Sequence, residues 1–124
     1  MILVDTSVWV DHLRKTDKQL VSVLTEGQVL CHPFVIGELA CGNIRNRAEI
    51  LALLAALPCA ASATHEEALS LVAKRGLSGR GLGWVDAHLL ASSLISGAPL
   101  WTNDKALRDV AKSLKAAYAA GPSG

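Results

Sequence analysis

Aromatic residues make up only 4% of this 124-residue chain. Aliphatic side chains and Ala must therefore fill the core, and at 51% apolar there is ample material for one compact domain. No apolar run reaches the roughly 20 residues that a membrane-spanning helix needs. His88 interrupts the longest candidate, whose Ala, Ser and Gly content suits a core helix. No charged segment and long apolar stretch precede Ile2-Leu3-Val4, so no secretory signal is expected. Cys31, Cys41 and Cys59 include no CxxC, and the histidines no HxxxH. Reduced structural thiols of a cytosolic protein are the expectation, with a zinc site using His32 or His65 as the remote alternative. Gly79-Arg80-Gly81-Leu82-Gly83 lacks the GxGxxG spacing and no Gly-Lys-Ser/Thr follows, so neither nucleotide-binding loop fits. Ser7 with His12 or His88 makes no nucleophile elbow, which argues against a serine hydrolase.

Nor is there an excess of one charge. Twelve Lys and Arg face eleven Asp and Glu, for a net charge of +1. What is uneven is where the acids fall. Asp5 is the only charged residue from Met1 to Val10, Glu38 the only one from Gly27 to Ile44, and Asp86 the only one from Gly81 to Asn103. Asp104 follows directly on Leu100-Trp101-Thr102-Asn103. Burying charge is costly without a partner, and no Lys or Arg lies in these stretches. Four carboxylates meeting around a divalent cation is the economical reading. Setting those four aside leaves seven acids against twelve bases, a mildly basic surface suited to a phosphate backbone.

Short apolar runs alternate with helical patterns. Ile2-Leu3-Val4, Val29-Leu30-Cys31 and Leu100-Trp101 read as buried strands, with Ala116 to Ala120 as a possible last edge strand. Helices are predicted from Asp5 onward, after a Thr16/Gln19 capping box with Leu20, Val21 and Leu24 inward, and after Pro33 as far as Gly42. Further helices are predicted over Arg45–Leu57, after a Thr64/Glu67 capping box with Leu69, Val72 and Ala73, over Trp84–Ser96, and over Asp104–Leu114. This is an α/β domain over residues 1–118 with a mainly parallel sheet and right-handed crossovers, and residues 119–124 are expected to be a frayed tail. Sites in such sheets form at the carboxyl ends of strands, where Asp5 and Asp104 fall side by side.

Each acid also has an ordinary explanation. Asp5 and Asp104 could cap helices, and Asp86 could complement a helix dipole. Glu38 lies mid-helix in Phe34-Val35-Ile36-Gly37-Glu38-Leu39-Ala40, where no cap role exists. Mg²⁺ and Mn²⁺ prefer oxygen ligands, and such ions activate water for phosphoryl transfer. Thr6, Ser7, Thr102 and Asn103 could support the carboxylates or simply form caps and turns. Arg80, Arg45 and Arg47 are candidate phosphate contacts, against an ordinary reading as a mobile loop and a solvated helix start.

Val4-Asp5-Thr6-Ser7-Val8-Trp9, Pro33-Phe34-Val35-Ile36-Gly37-Glu38-Leu39, Trp84-Val85-Asp86-Ala87-His88-Leu89-Leu90 and Leu100-Trp101-Thr102-Asn103-Asp104 together resemble the four motifs of the PIN-domain family, in order. The resemblance is nearest to the VapC toxins of bacterial VapBC toxin–antitoxin pairs. It implies an α/β/α sandwich and Mg²⁺- or Mn²⁺-dependent RNA cleavage. Asp5, Glu38, Asp86 and Asp104 match the family's acidic quartet, with Asp5 and Asp86 as the most direct ligands. Thr6 and Thr102 match assisting hydroxyls. A homodimer and a small VapB-like antitoxin that blocks the site are also implied. A receiver-like phosphoacceptor module, which likewise gathers acids at strand ends, is the alternative.

Overall fold

The computed structural model describes residues 1–119. Three parallel strands, β1 (Ile2–Val4), β2 (Val29–Leu30) and β3 (Leu100–Trp101), lie in the order β2-β1-β3. Seven helices surround them among the described residues: α1 (Thr6–Arg14), α2 (Lys18–Thr25), α3 (Pro33–Cys41), α4 (Arg47–Ala56), α5 (His65–Lys74), α6 (Trp84–Ser96) and α7 (Lys105–Ser113). Every strand residue is buried, as expected of a parallel sheet covered on both faces. The core is aliphatic, led by Leu3, Leu20, Leu39, Leu54, Leu89, Leu90, Leu100 and Leu107, with Trp9 and Trp101 the only buried Trp residues. Burial pushes the Cys31 thiol up to about 11, so it packs as a small protonated hydrophobe.

The helix limits follow local chemistry. Pro33 opens α3 and Gly42 closes it. The Thr64/Glu67 capping box opens α5 through reciprocal bonds of 3.1 and 2.9 Å. Gly97, at φ 63°, ends α6 in the left-handed region open to Gly. Some expectations need correction. Asp17, not Thr16, caps α2, because its carboxylate takes the Leu20 N–H at 3.0 Å. Val23 replaces Val21 on the inner face of that helix, and Ala68 replaces Leu69 on that of α5. The buried face is decided by what each helix packs against, so composition along the helix alone does not fix it. The edge strand near Ala116–Ala120 reduces to a single Leu100–Ala117 bridge, and Ala120 itself lies outside the described residues. Ala119, where the tail was expected to begin, is exposed and outside any helix or strand; 120–124 lie outside the described residues.

Register positions the chemistry. β1 pairs with β3 through Val4 and Trp101, and the Asp5 N–H bonds the Trp101 carbonyl at 2.9 Å. Asp5 therefore stands beside Thr102 where both strands end.

Candidate metal and catalytic centre

Asp5 carries the most information. It occupies the N-cap position of α1 with extended backbone, yet its side chain caps nothing. Oδ2 instead accepts the Ser7 hydroxyl at 2.7 Å and the Thr102 hydroxyl at 2.8 Å. Asp5 is only 5% exposed, and among the described residues the sole ion pair is Lys105–Asp109, so no cation of the chain compensates it. A buried carboxylate turned away from the ordinary cap and left without a counter-charge is the arrangement expected of a ligand.

The other three acids converge on it from separate elements. Glu38, on α3, accepts the Thr6 hydroxyl from α1 at 2.7 Å through Oε1. Asp86, in the first turn of α6, accepts the Gly83 N–H at 3.0 Å through Oδ2. Asp104 caps α7 by accepting the Leu107 N–H at 2.9 Å through Oδ2, so its ordinary reading also holds. Burial differs from the sequence expectation: Asp86 is half-buried, while Glu38 and Asp104 are exposed. Isolation of an acid in an apolar stretch marks its neighbours as buried, not the acid itself.

The acids also sense one another. The Asp86 carboxyl is raised above its ordinary 3.8, first by burial, then by the charges of Asp5, Asp104 and Glu38, which together outweigh the Gly83 bond. Among the described residues, no three Asp, Glu, His or Cys side chains form a ready-made ligand set. These facts agree: like charges share one end of the sheet without closing on each other. The donors fit a hard divalent cation. All are oxygens, and among the described residues each carboxylate has one oxygen fixed by a protein donor and one without such a donor.

Ser7 and Asn103, both candidate supports in the sequence, take long-range partners that it does not specify. Asn103 donates through Nδ2 to Asp11 of α1 at 2.8 Å, tying the turn after β3 to that helix. These two residues are 92 positions apart, so no local pattern could announce the pair. Ser7 links two groups at once, accepting the Asn103 N–H at 2.9 Å while donating to Asp5. The candidate phosphate contacts are scattered. Arg45 lines a cavity of about 750 Å³ with Glu38, Val10, Leu13 and Ile44. Arg80 and Lys105 line another of about 420 Å³ beside the start of α7. Gly81 (φ 82°) brings the Arg80 loop against that helix; a Cβ there would sit 3.5 Å from that of Ala106. Arg47 spends donors on the Ala40 carbonyl at 2.9 and 3.3 Å, capping the end of α3. His88 is buried, its ring edge-on to Phe34 and Trp84 at 4.8 and 4.6 Å, and plays no part in the acidic centre.

A parallel sheet with four acids gathered at its carboxyl end defines a class, and the PIN-domain family model matches residues 2–113. The chain belongs to the PIN-domain family. It is similar to Ribonuclease VapC32 of Mycobacterium tuberculosis, in strain CDC 1551 / Oshkosh and in strain H37Rv, at 55% identity over 109 residues in each, spanning 87% of this chain and 88% of the relative.

Proposed function

We propose that this protein is a divalent-metal-dependent endoribonuclease acting as the toxin of a toxin–antitoxin pair, with structured RNA (tRNA, rRNA or mRNA) as substrate. The observation that carries the reading is Asp5, buried, not capping, and free of any cation among the described residues. The similarity to a protein named Ribonuclease VapC32 supports the choice of RNA. Asp5, Asp86, Asp104 and Glu38 would hold Mg²⁺ or Mn²⁺. When bound, the ion supplies Lewis-acid stabilisation of phosphoryl charge and a lowered pKa for attacking water. The protein's part is placement. Thr6 orients Glu38, Thr102 orients Asp5, and capping bonds fix Asp86 and Asp104 by one oxygen each. Arg45, which shares a cavity with Glu38, and Arg80, beside the start of α7, are the phosphate contacts of this reading, whereas Arg47 chiefly braces α3. Purified protein should cut RNA with Mg²⁺ or Mn²⁺ and stop in chelator; undiminished cleavage in chelator would refute the metal mechanism. A phosphoacceptor module needs a lysine near its acids, but the Lys105 ammonium is turned to Asp109 at 2.9 Å. A small phosphodonor should therefore leave the protein unlabelled.

Two partners belong to this reading. The groove beside Glu38, walled by Val10, Leu13, Leu39 and Ile44, suits an apolar antitoxin segment that extends a Lys or Arg into the acidic centre. Such a segment should abolish cleavage, and one that bound without doing so would count against site blocking. The second partner is another copy of the chain. The Leu- and Ala-rich run Ile50 to Leu57 is expected from the sequence to turn outward as its face, but Leu53 is the only large exposed hydrophobic residue of α4. Leu69, Leu94 and Ile95, each 40–48% exposed, make a broader face on α5 and α6. Glu66 and Glu67 at one end of α5 and Lys74 and Arg75 at the other are charge-complementary about a twofold axis. Ile95→Glu should convert a sedimenting dimer to monomer; a wild-type monomer at high concentration would refute the dimer. The site of action in this reading is the cytoplasm, in keeping with three free cysteines.

A further inference from the structure

We propose that Ser7 is a positioning residue for the metal centre, acting with Thr102 to fix Asp5 as a single-oxygen ligand and to tie it to the segment bearing Asp104. The proposal rests on the metal-nuclease reading above. It is carried by the hydrogen atoms available. A hydroxyl has one proton to donate. Ser7 and Thr102 both lie within 2.8 Å of Asp5 Oδ2, so each spends its proton there. Each hydroxyl oxygen then accepts a backbone N–H, Ser7 from Asn103 at 2.9 Å and Thr102 from Asp104 at 3.0 Å. The 3.2 Å approach of the two hydroxyl oxygens follows from their shared acceptor and needs no bond of its own.

The geometry has two consequences. Oδ2 of Asp5 is occupied by two donors in a buried setting, which leaves Oδ1 to face a cation. The turn after β3 is also fastened to α1 by Ser7 and by Asn103–Asp11, so the spacing between Asp5 and Asp104 is set before any ion arrives. Thr6, the neighbouring hydroxyl, belongs to Glu38 and does not substitute for Ser7. Groups that orient ligands in this way govern metal affinity by roughly 10–100-fold.

The test is Mn²⁺ titration followed by the electron paramagnetic resonance of the free ion, on the whole protein without RNA. Ser7→Ala should bind Mn²⁺ about 10-fold or more weakly than wild type, and Ser7→Thr, which keeps the hydroxyl, should recover most of the loss. Thr64→Ala, which breaks the α5 capping box, serves as a control for lost stability and should bind Mn²⁺ as wild type does. Raised Mn²⁺ should restore RNA cleavage to Ser7→Ala. Equal Mn²⁺ affinity in Ser7→Ala and wild type overturns the proposal while leaving the metal reading intact. Equal weakening in Ser7→Ala and Thr64→Ala overturns it in favour of a purely structural role. A wild-type protein that binds no Mn²⁺ overturns the metal reading and this inference with it.

Discussion

Asp86→Asn should separate stability from activity. In the native state the Asp86 carboxyl is raised above its ordinary 3.8 by burial and by Asp5, Asp104 and Glu38. Below that ordinary value the group is neutral whether the chain is folded or not. As pH rises through the raised native value, the folded state must ionise it against burial and three like charges, and stability falls. Asparagine escapes that cost. It still offers an oxygen to the Gly83 N–H, so only the charge-dependent part of the helix-start interaction is lost, about 0.3–1 kcal/mol. Asp86 is half-buried, and solvent screens part of the repulsion. The net effect at neutral pH and without metal should lie between zero and ~1 kcal/mol of added stability, the scale of relief at functional sites. For a domain of this size that is at most about 4 °C in Tm. The advantage should shrink as pH falls through the raised native value toward the ordinary 3.8, because wild-type Asp86 is then protonated and carries no charge to repel.

The assay is thermal unfolding with and without Mg²⁺, paired with RNA cleavage. Mg²⁺ raises Tm only by binding the folded form. The variant should therefore gain less from Mg²⁺ than wild type, and its cleavage should fall by orders of magnitude. If Asp86 served only its helix, the same change would destabilise the protein by about 0.3–1 kcal/mol and spare cleavage. That pattern would refute the reasoning.

Other residues give independent checks. His32 is buried and accepts the Phe34 N–H at Nδ1, so burial, with the nearby His88, lowers its pKa below 6.5 and holds it neutral. Its contribution to stability is present above about pH 6.5 and lost as pH falls through the native value; denaturant midpoints should drop from pH 7.5 to 5.5, and His32→Asn should flatten that slope. Arg47→Ala should destabilise by about 0.5–1.5 kcal/mol through the lost Ala40 bonds, with RNA affinity little changed. Arg45→Ala and Arg80→Ala should instead leave Tm in place, weaken RNA binding across sequences, and each lower the slope of log affinity against log salt by about 1 in filter binding.

How far the sequence reaches is decided by the range of each interaction. All three strands and the seven described helices were legible because their signals are local: apolar runs of two or three residues, Pro33 at a helix start, a Thr64/Glu67 box, a closing Gly97. Helix faces were less so. Leu69 and Ala68 compete for the inner side of α5, and only the neighbouring α6 decides between them. The acidic centre was legible in membership and not in form. Strand-end placement brought Asp5 and Asp104 together through the β1–β3 register, but pairing cannot be heard in either strand alone.

Isolated charge in apolar surroundings goes with burial at Asp5 but not at Glu38 or Asp104. What unites the four is different. Each has one oxygen engaged by a protein donor, so each is oriented while a second oxygen keeps no protein donor among the described residues. Orientation without neutralisation is costly in a fold that gains nothing from it, because four unpaired carboxylates at one sheet end repel at neutral pH. The hydroxyls of Thr6, Ser7 and Thr102 supply hydrogen bonds and no charge, so they hold the acids in place without cancelling the negative potential. A cationic side chain reaching these carboxylates would instead neutralise them and occupy the oxygens a cation needs. Choosing hydroxyls there keeps the potential available, which is the physical link between the short Asp-Thr-Ser run at the end of β1 and a site that attracts divalent ions.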